Sequence, residues 1–131
     1  MGRTPTSLDD LPSNAVRPLA SLNPELLRAW AQAVEHRFVH VVLTGIRERK
    51  PLLAAIGRAL EFPSWFGANL DALYDSLTDM PERVPAAGYV IVLDGMAQGL
   101  ETDDNAAVLD VFRDAAEEFA GRGLALRVYY R

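Results

Sequence analysis

Two aspartates, Asp71 and Asp75, are spaced one turn apart on a predicted helix, where their carboxylates could bind cationic groups. Asn69 is a favourable N-cap, and the apolar spacing predicts a helix to about Thr78, which shares the stripe of the two aspartates. Carboxylates about 6 Å apart along the axis repel each other by roughly a few tenths of a kcal/mol. This predicted helix contains no lysine or arginine to offset that repulsion. Helix stability therefore gives no reason for Asp75, which indicates a binding function.

Three aromatic side chains flank these carboxylates: Trp65, Phe66 and Tyr74. Aromatic groups beside charged ones are typical of the few residues that dominate a protein–protein interface. The alternative interpretation is a solvated acidic helix beside aromatic residues of the core. These residues alone leave both interpretations open.

Charge is distributed unevenly along this chain of net charge −5. Residues 1–70 contain eight basic and six acidic side chains, whereas residues 71–118 contain twelve acidic and two basic ones. An acidic field repels phosphate backbones and attracts basic proteins, so we expect a basic protein partner and no direct nucleic-acid binding. The alternative is an acidic face that serves solubility.

The composition excludes several classes of protein. The 131 residues are enough for one domain, and the absence of cysteine excludes a disulfide scaffold and a thiol nucleophile. No apolar run resembles a signal peptide or approaches the roughly 20 residues of a membrane span. We therefore expect a cytoplasmic protein without membrane contact that is a monomer when free.

The elements that must position the carboxylates follow from hydrophobic periodicity. Helices are predicted near 24–35, 47–60, 69–78 and 103–120, and strands near 37–43, 89–93 and 124–130. Asp79-Met80-Pro81 is predicted to end the third helix. Because strands joined by helical crossovers lie parallel, the predicted fold is α/β, a three-stranded parallel sheet with helices packed over it. Residues 1–22 read as a flexible tail, 23–36 as an N-terminal helical extension and 37–131 as the domain.

The run Phe62–Thr78 resembles the signature loop and helix of the barstar family. The matching positions are Pro63, Trp65, Phe66, Gly67, Asn69, Leu70, Asp71, Ala72, Leu73, Tyr74, Asp75, Leu77 and Thr78. Val111-Phe112-Arg113-Asp114-Ala115 is similar to the family's second motif, and the order of elements agrees from about Arg37 to Tyr130. The resemblance implies a barstar-like fold and an intracellular inhibitor, of antitoxin or immunity type, of a cognate ribonuclease such as a barnase-like enzyme.

The resemblance also implies roles for individual residues. Asp75 would be the central carboxylate, in the place of a substrate phosphate, and Asp71 would make a second contact. Trp65 would stack on a histidine of the enzyme, where the family usually has tyrosine, and Asp114 would reach a peripheral basic residue. The implied contact surface consists of Trp65, Phe66, Gly67, Asn69, Asp71, Tyr74, Asp75, Thr78 and Asp114.

Besides Trp65, three positions of this sequence depart from the family pattern. Asp114 is one methylene shorter than the glutamate usual there. Asp79 and Met80 stand where the family often has glycine and tryptophan. These departures argue against the same partner enzyme, but they hardly affect the interpretation as an inhibitor. A separate alternative keeps the fold and changes the partner: an immunity or interaction module for a toxin that is not a ribonuclease.

Enzymatic activity is a further alternative from a different class. Asp94 ends a predicted strand, and Asp71 with Asp75 could hold Mg²⁺. However, the sequence has no glycine-rich phosphate loop and no plausible nucleophile–histidine pair, and His36 and His40 are predicted to face no common metal. We therefore expect a protein that is not an enzyme, with no catalytic residue, cofactor or metal.

Overall fold

The computed structural model describes residues 4–96 and 102–131, which form an α/β fold around a parallel sheet. The strands are β1 (Ala15–Pro18), β2 (Arg37–Val42), β3 (Gly88–Asp94) and β4 (Ala125–Tyr130), in the spatial order β1-β4-β3-β2. The helices are α1 (Pro24–Ala33), α2 (Arg49–Ala59), α3 (Leu70–Arg83) and α4 (Thr102–Gly121), with a short 3₁₀ helix at Leu8–Asp10. The parallel α/β prediction is confirmed, but the prediction of three strands is wrong because the sheet has four.

The fourth strand lies in the segment predicted to be a flexible tail. β1 pairs in parallel with β4, with Ala15 opposite Arg127. The side-chain amide of Asn14 donates to the carbonyl oxygens of Ala116 and Leu124 at 2.9 and 3.0 Å, and the Leu19 amide donates to the Tyr130 carbonyl at 2.7 Å. These bonds link β1 to elements more than 100 residues away in the sequence.

The sheet separates two layers of hydrophobic core. α2, α3 and α4 pack on one face, where Ile91 and Leu93 of β3 join the larger cluster. α1 and the 3₁₀ helix cover the other face, where Val90 and Val92 contact a cluster that includes Leu27. The apolar side chains of β3 are buried on both faces, as its continuous hydrophobic run requires.

α3 extends to Arg83, although Pro81 was predicted to end it. A proline has no N–H to donate to the carbonyl one turn earlier, so carbonyl groups near it need other partners. Arg122, directly after α4, donates to the Thr78 carbonyl at 2.7 Å, and Arg83 donates to the Ser76 carbonyl at 2.6 Å. These two guanidinium groups bind carbonyl groups of α3 on the N-terminal side of Pro81, and the helix continues for five residues beyond Thr78.

Candidate partner-binding surface

Helix α3 is fixed at its N-terminus and along one buried stripe. The Asn69 side chain accepts a hydrogen bond from the Ala72 amide at 2.8 Å, as an N-cap should. Leu73, Leu77 and Met80 are almost fully buried and set the rotation of the helix on the core. Four carboxylates remain exposed along the outer side of this helix, namely those of Asp71, Asp75, Asp79 and Glu82.

The loop before α3 is anchored by one aromatic side chain and presents another. Phe66 packs edge-on against Phe62, with ring centroids 5.0 Å apart. A Cβ at Gly57 would lie 2.8 Å from the Phe66 ring, so only glycine allows α2 to approach it this closely. Trp65 is the neighbour of this anchor, and it is 83% exposed. The packing of Phe66 therefore anchors the loop, while the indole of Trp65 is exposed to solvent.

Asp75 lies between two depressions in the surface. The first, which we name the Trp65 groove, has a volume of about 350 Å³ and is lined by residues that include Trp65, Phe66, Gly67, Asp75, Asp79 and Glu82. The second, the Tyr74 depression, has a volume of about 540 Å³ and is lined by Leu70, Asp71, Tyr74, Asp75, Val111 and Asp114. Seven of the nine expected contact residues therefore line two depressions that share Asp75.

The other two expected contact residues, Thr78 and Asn69, serve helix α3 itself. Thr78 is only 7% exposed, and its hydroxyl donates to the carbonyl oxygens of Tyr74 and Asp75 at 3.0 and 3.1 Å. Thr78 is buried where α3 packs against α4, so the part of it that could border the contact is small, and its role stays a prediction. Asn69 uses its side-chain oxygen as the N-cap and lines a separate depression beside Arg49 and Lys50.

Asp79 and Glu82 also line the Trp65 groove, although their positions in the sequence did not lead us to expect it. They continue the spacing of Asp75 by four and then three further residues, but this signal was lost because the helix was predicted to end at Thr78. In the sequence, Asp79 stands out only as a departure from the family pattern. The structure places both carboxylates beside Trp65 in one groove.

Asp94 lies at the carboxyl end of β3, where its carboxylate is paired on both oxygens. His40 Nε2 lies 2.8 Å from Oδ2, and Arg131 donates to Oδ1 at 2.8 Å and to Oδ2 at 3.2 Å. The hydrogen bonds from Arg131 are the main reason why the pKa of Asp94 is lowered to about 2, and His40 lowers it further. Asp94 therefore stabilises this edge of the sheet as a permanently charged group at neutral pH.

The two histidines lie apart: His36 directly precedes β2, and His40 lies within it. The His36 ring occupies the space beside Gly88, where a Cβ would lie 2.5 Å from it, whereas His40 binds Asp94 at the far end of the strand pair. Among residues 4–96 and 102–131, no group of three or more histidine or acidic side chains is arranged to hold a metal ion. Within the same part of the chain, no helix is long and apolar enough to cross a membrane.

These features define a small parallel α/β protein with an acidic helix and an outward tryptophan on one surface. The chain matches the family model Barstar, described as barnase inhibitor, over residues 36–131. It belongs to the barstar family. A comparison with curated proteins found no match. The family match covers β2 to β4 and all nine expected contact residues, whereas β1 and α1 precede it.

Proposed function

We propose that this protein inhibits a cognate ribonuclease of the barnase type by covering its active site with α3 and the Trp65 loop. The observation that carries the proposal is the position of Asp75, exposed between two depressions and close to an 83% exposed tryptophan. The family to which the chain belongs is described as barnase inhibitor. The acidic helix α3 of this chain lies on the surface described above.

Asp75 acts as the substitute for a substrate phosphate. An enzyme that cleaves RNA must bind phosphate oxygens with cationic side chains, and a carboxylate can accept the same paired hydrogen bonds from an arginine. The Asn69 cap and the buried leucines hold α3 rigid before binding, so less conformational entropy is lost when the complex forms. The carboxylate therefore blocks the position that the scissile phosphate would occupy.

The residues around Asp75 complete the contact. Asp71 and Tyr74 come from the first turns of α3, and Asp114 comes from α4 on the opposite side of the Tyr74 depression. Trp65 supplies apolar area that the partner covers, as aromatic residues often do at interfaces. The acidic segment 71–118 also attracts a basic enzyme over longer distances.

Inhibition of this kind protects the cell that makes the ribonuclease. The proposed place of action is therefore the cytoplasm, with the free inhibitor a monomer that acts as an antitoxin or immunity protein. This proposal includes no catalytic activity and no cofactor.

The direct test is a titration of RNA cleavage by purified barnase with increasing amounts of this protein. We expect cleavage to stop at one inhibitor per enzyme, and Asp75→Ala to shift the titration to much higher concentration. Glu117→Ala is the matched control, because Glu117 is an exposed carboxylate on α4 outside both depressions. Full cleavage in excess inhibitor would contradict the proposal for barnase itself.

The second candidate is a partner that differs from the family's usual enzyme and is not a ribonuclease, and Asp79 bears on the first of these two points. Its carboxylate stands in the Trp65 groove at a position where the family often has glycine. Capture of bound proteins from the cytoplasm, followed by RNA and DNA cleavage assays on each, distinguishes the two candidates. A captured basic toxin without ribonuclease activity would support this second candidate.

A further inference from the structure

The guanidinium group of Arg83 joins two parts of the proposed contact surface. Arg83 is the last residue of α3, and its Nη2 donates to the carbonyl oxygen of Ser76 at 2.6 Å. Its Nη1 donates to the carbonyl oxygen of Glu61 at 3.1 Å. Glu61 lies at the start of the Trp65 loop, which comprises residues 60–69 between α2 and α3. One planar group therefore connects the acidic helix to the loop that carries the exposed indole.

We propose that Arg83 is a positioning residue, which holds the Trp65 loop in a fixed place relative to Asp75 before the partner binds. Ser76 follows Asp75 directly, so the bond to its carbonyl attaches Arg83 to the turn that presents the central carboxylate. The inference rests on the proposed function and deepens it, because it assigns the arrangement of the contact surface to a residue that is not among the nine expected contacts.

The start of the loop has a backbone conformation that requires support. Glu61 has a φ of +58°, in the left-handed region that favours glycine. The Phe62 amide donates to the Gly57 carbonyl at 2.8 Å, a bond that closes helices ending in this conformation. Arg83 binds the carbonyl of Glu61, and Arg37 forms an ion pair with its carboxylate. Two cationic side chains thus hold the residue at which the chain leaves α2.

The same guanidinium also covers the aromatic pair that anchors the loop. It lies 5.4 Å from the centre of the Phe62 ring, within the range of a cation–π contact. Phe62 in turn contacts Phe66 edge-on, with 5.0 Å between the ring centroids. Phe66 directly follows Trp65 in the sequence, so a displacement of this pair would displace the indole. Arg83 therefore supports both the backbone at the start of the loop and its side-chain anchor.

Helical spacing offers Arg83 a different partner that the structure does not use. Asp79 lies four residues earlier on α3, at the spacing that favours an ion pair. Within residues 4–96 and 102–131, Arg83 forms no ion pair, and its two terminal nitrogens bind carbonyl oxygens of α3 and of the loop instead. A planar fork that donates from two nitrogens and lies over a ring is a property of arginine that lysine lacks.

The first test measures the order of the loop in the free protein. Arg83→Met keeps the apolar stem and removes the fork. NMR order parameters of the backbone amides of residues 64–67 should be about 0.85 in the wild type and fall toward about 0.6 in Arg83→Met. Arg122→Met is the matched control, because Arg122 also donates to an α3 carbonyl but does so at Thr78, away from the loop. Unchanged order in Arg83→Met, or an equal loss in Arg122→Met, would overturn the inference.

The second test is binding to barnase, for which charge and position predict opposite results. Loss of a positive charge from the inhibitor should strengthen its attraction to a basic enzyme. A loop that must be ordered during binding should weaken affinity instead, by roughly twofold to tenfold. We expect Arg83→Met to bind more weakly than the wild type, and this loss to vanish when both proteins also carry Trp65→Ala. Tighter binding, or the same loss with and without Trp65, would show that Arg83 does not act through the loop.

A second variant and the free protein keep the inference separate from the proposed function. Arg83→Lys retains the charge and most of the stem, so it replaces Arg83→Met if that variant does not fold. We expect Arg83→Lys to lose part of the loop order and of the affinity, and a variant equal to the wild type in both would refute the role of the fork. If the wild type does not inhibit barnase, the proposed function fails for barnase, and the order parameters alone decide whether Arg83 fixes the loop.

Discussion

The carboxylates of α3 and the carboxylate of Asp94 differ in the cationic partners that the folded chain provides for them. Asp94 is bound by His40 and twice by Arg131, and its side chain is 19% exposed. Asp75 and its neighbours on α3 are exposed, and the described residues provide them with no cationic partner. A carboxylate that is paired inside the protein serves its stability, whereas an unpaired row on a rigid helix is available to another molecule.

The largest effect should come from Asp75→Ala. If Asp75 takes the place of a phosphate in a buried cationic site, its loss leaves charges of the partner unpaired and weakens binding by roughly 2–5 kcal/mol. Unfolding stability should hardly change, and it should rise slightly if repulsion from Asp71 matters. Calorimetric titration with barnase and thermal unfolding of the free variant check the two halves of this prediction.

Asp94→Asn should show the opposite behaviour. The variant leaves His40 and Arg131 without their shared anion and should lower the free energy of unfolding by roughly 1–3 kcal/mol. Binding should be unaffected, since Asp94 lies outside both depressions that flank Asp75. Urea unfolding at pH 7 measures the first effect, and the barnase titration measures the second. If Asp94→Asn folded with normal stability but no longer inhibited barnase, the distinction between Asp94 and the carboxylates of α3 would be wrong.

The pH dependence of stability should identify Asp94 as well. Its pKa is lowered from 3.8 to about 2 in the folded protein, so its charged form stabilises the fold above pH 4 by roughly 2 kcal/mol. Most of that contribution should be lost as the pH falls from about 4 to 2, and the rest below pH 2, where the carboxylate becomes protonated in the folded state as well. Unfolding curves of the wild type and Asp94→Asn should therefore converge over this range. Curves that stay parallel down to pH 2 would show that another interaction of Asp94 is responsible.

Much of the proposed contact surface was predictable because local signals determine its position. The Asn69 cap and the spacing of Leu73 and Leu77 identify α3 and its buried side, and the outward position of Asp75 follows from them. The burial of Thr78 was not predictable from its own helix, since it depends on the packing of α4 against α3. Helical spacing predicts on which side of a helix a side chain lies. Only tertiary packing decides whether another element covers that side.

Two features of the fold depend on contacts distant in sequence. β1 is four residues long and ends in Pro18, so it lacks the pattern of a buried strand and forms by pairing with β4. The last turns of α3 pass through Pro81, and the guanidinium of Arg122 binds a nearby carbonyl there. Propensity alone predicts a tail in the first case and a helix end in the second, because it contains no information on these long-range partners.

The smallest effect should come from acidic residues outside the depressions, and it tests whether Asp75 is a site or only one charge among many. Asp103→Ala and Glu117→Ala should reduce the association rate with barnase modestly and leave the dissociation rate unchanged, because distant charges act mainly during encounter. This effect should fade at high salt, where charges are screened over about 3 Å at 1 M ionic strength.

The loss of binding caused by Asp75→Ala should persist at high salt, since a buried ion pair is screened much less. Stopped-flow measurements at low and high salt separate these contributions. If all three variants lost binding equally and salt removed every difference, the acidic surface would act as a diffuse field, and the phosphate-substitute role of Asp75 would be wrong.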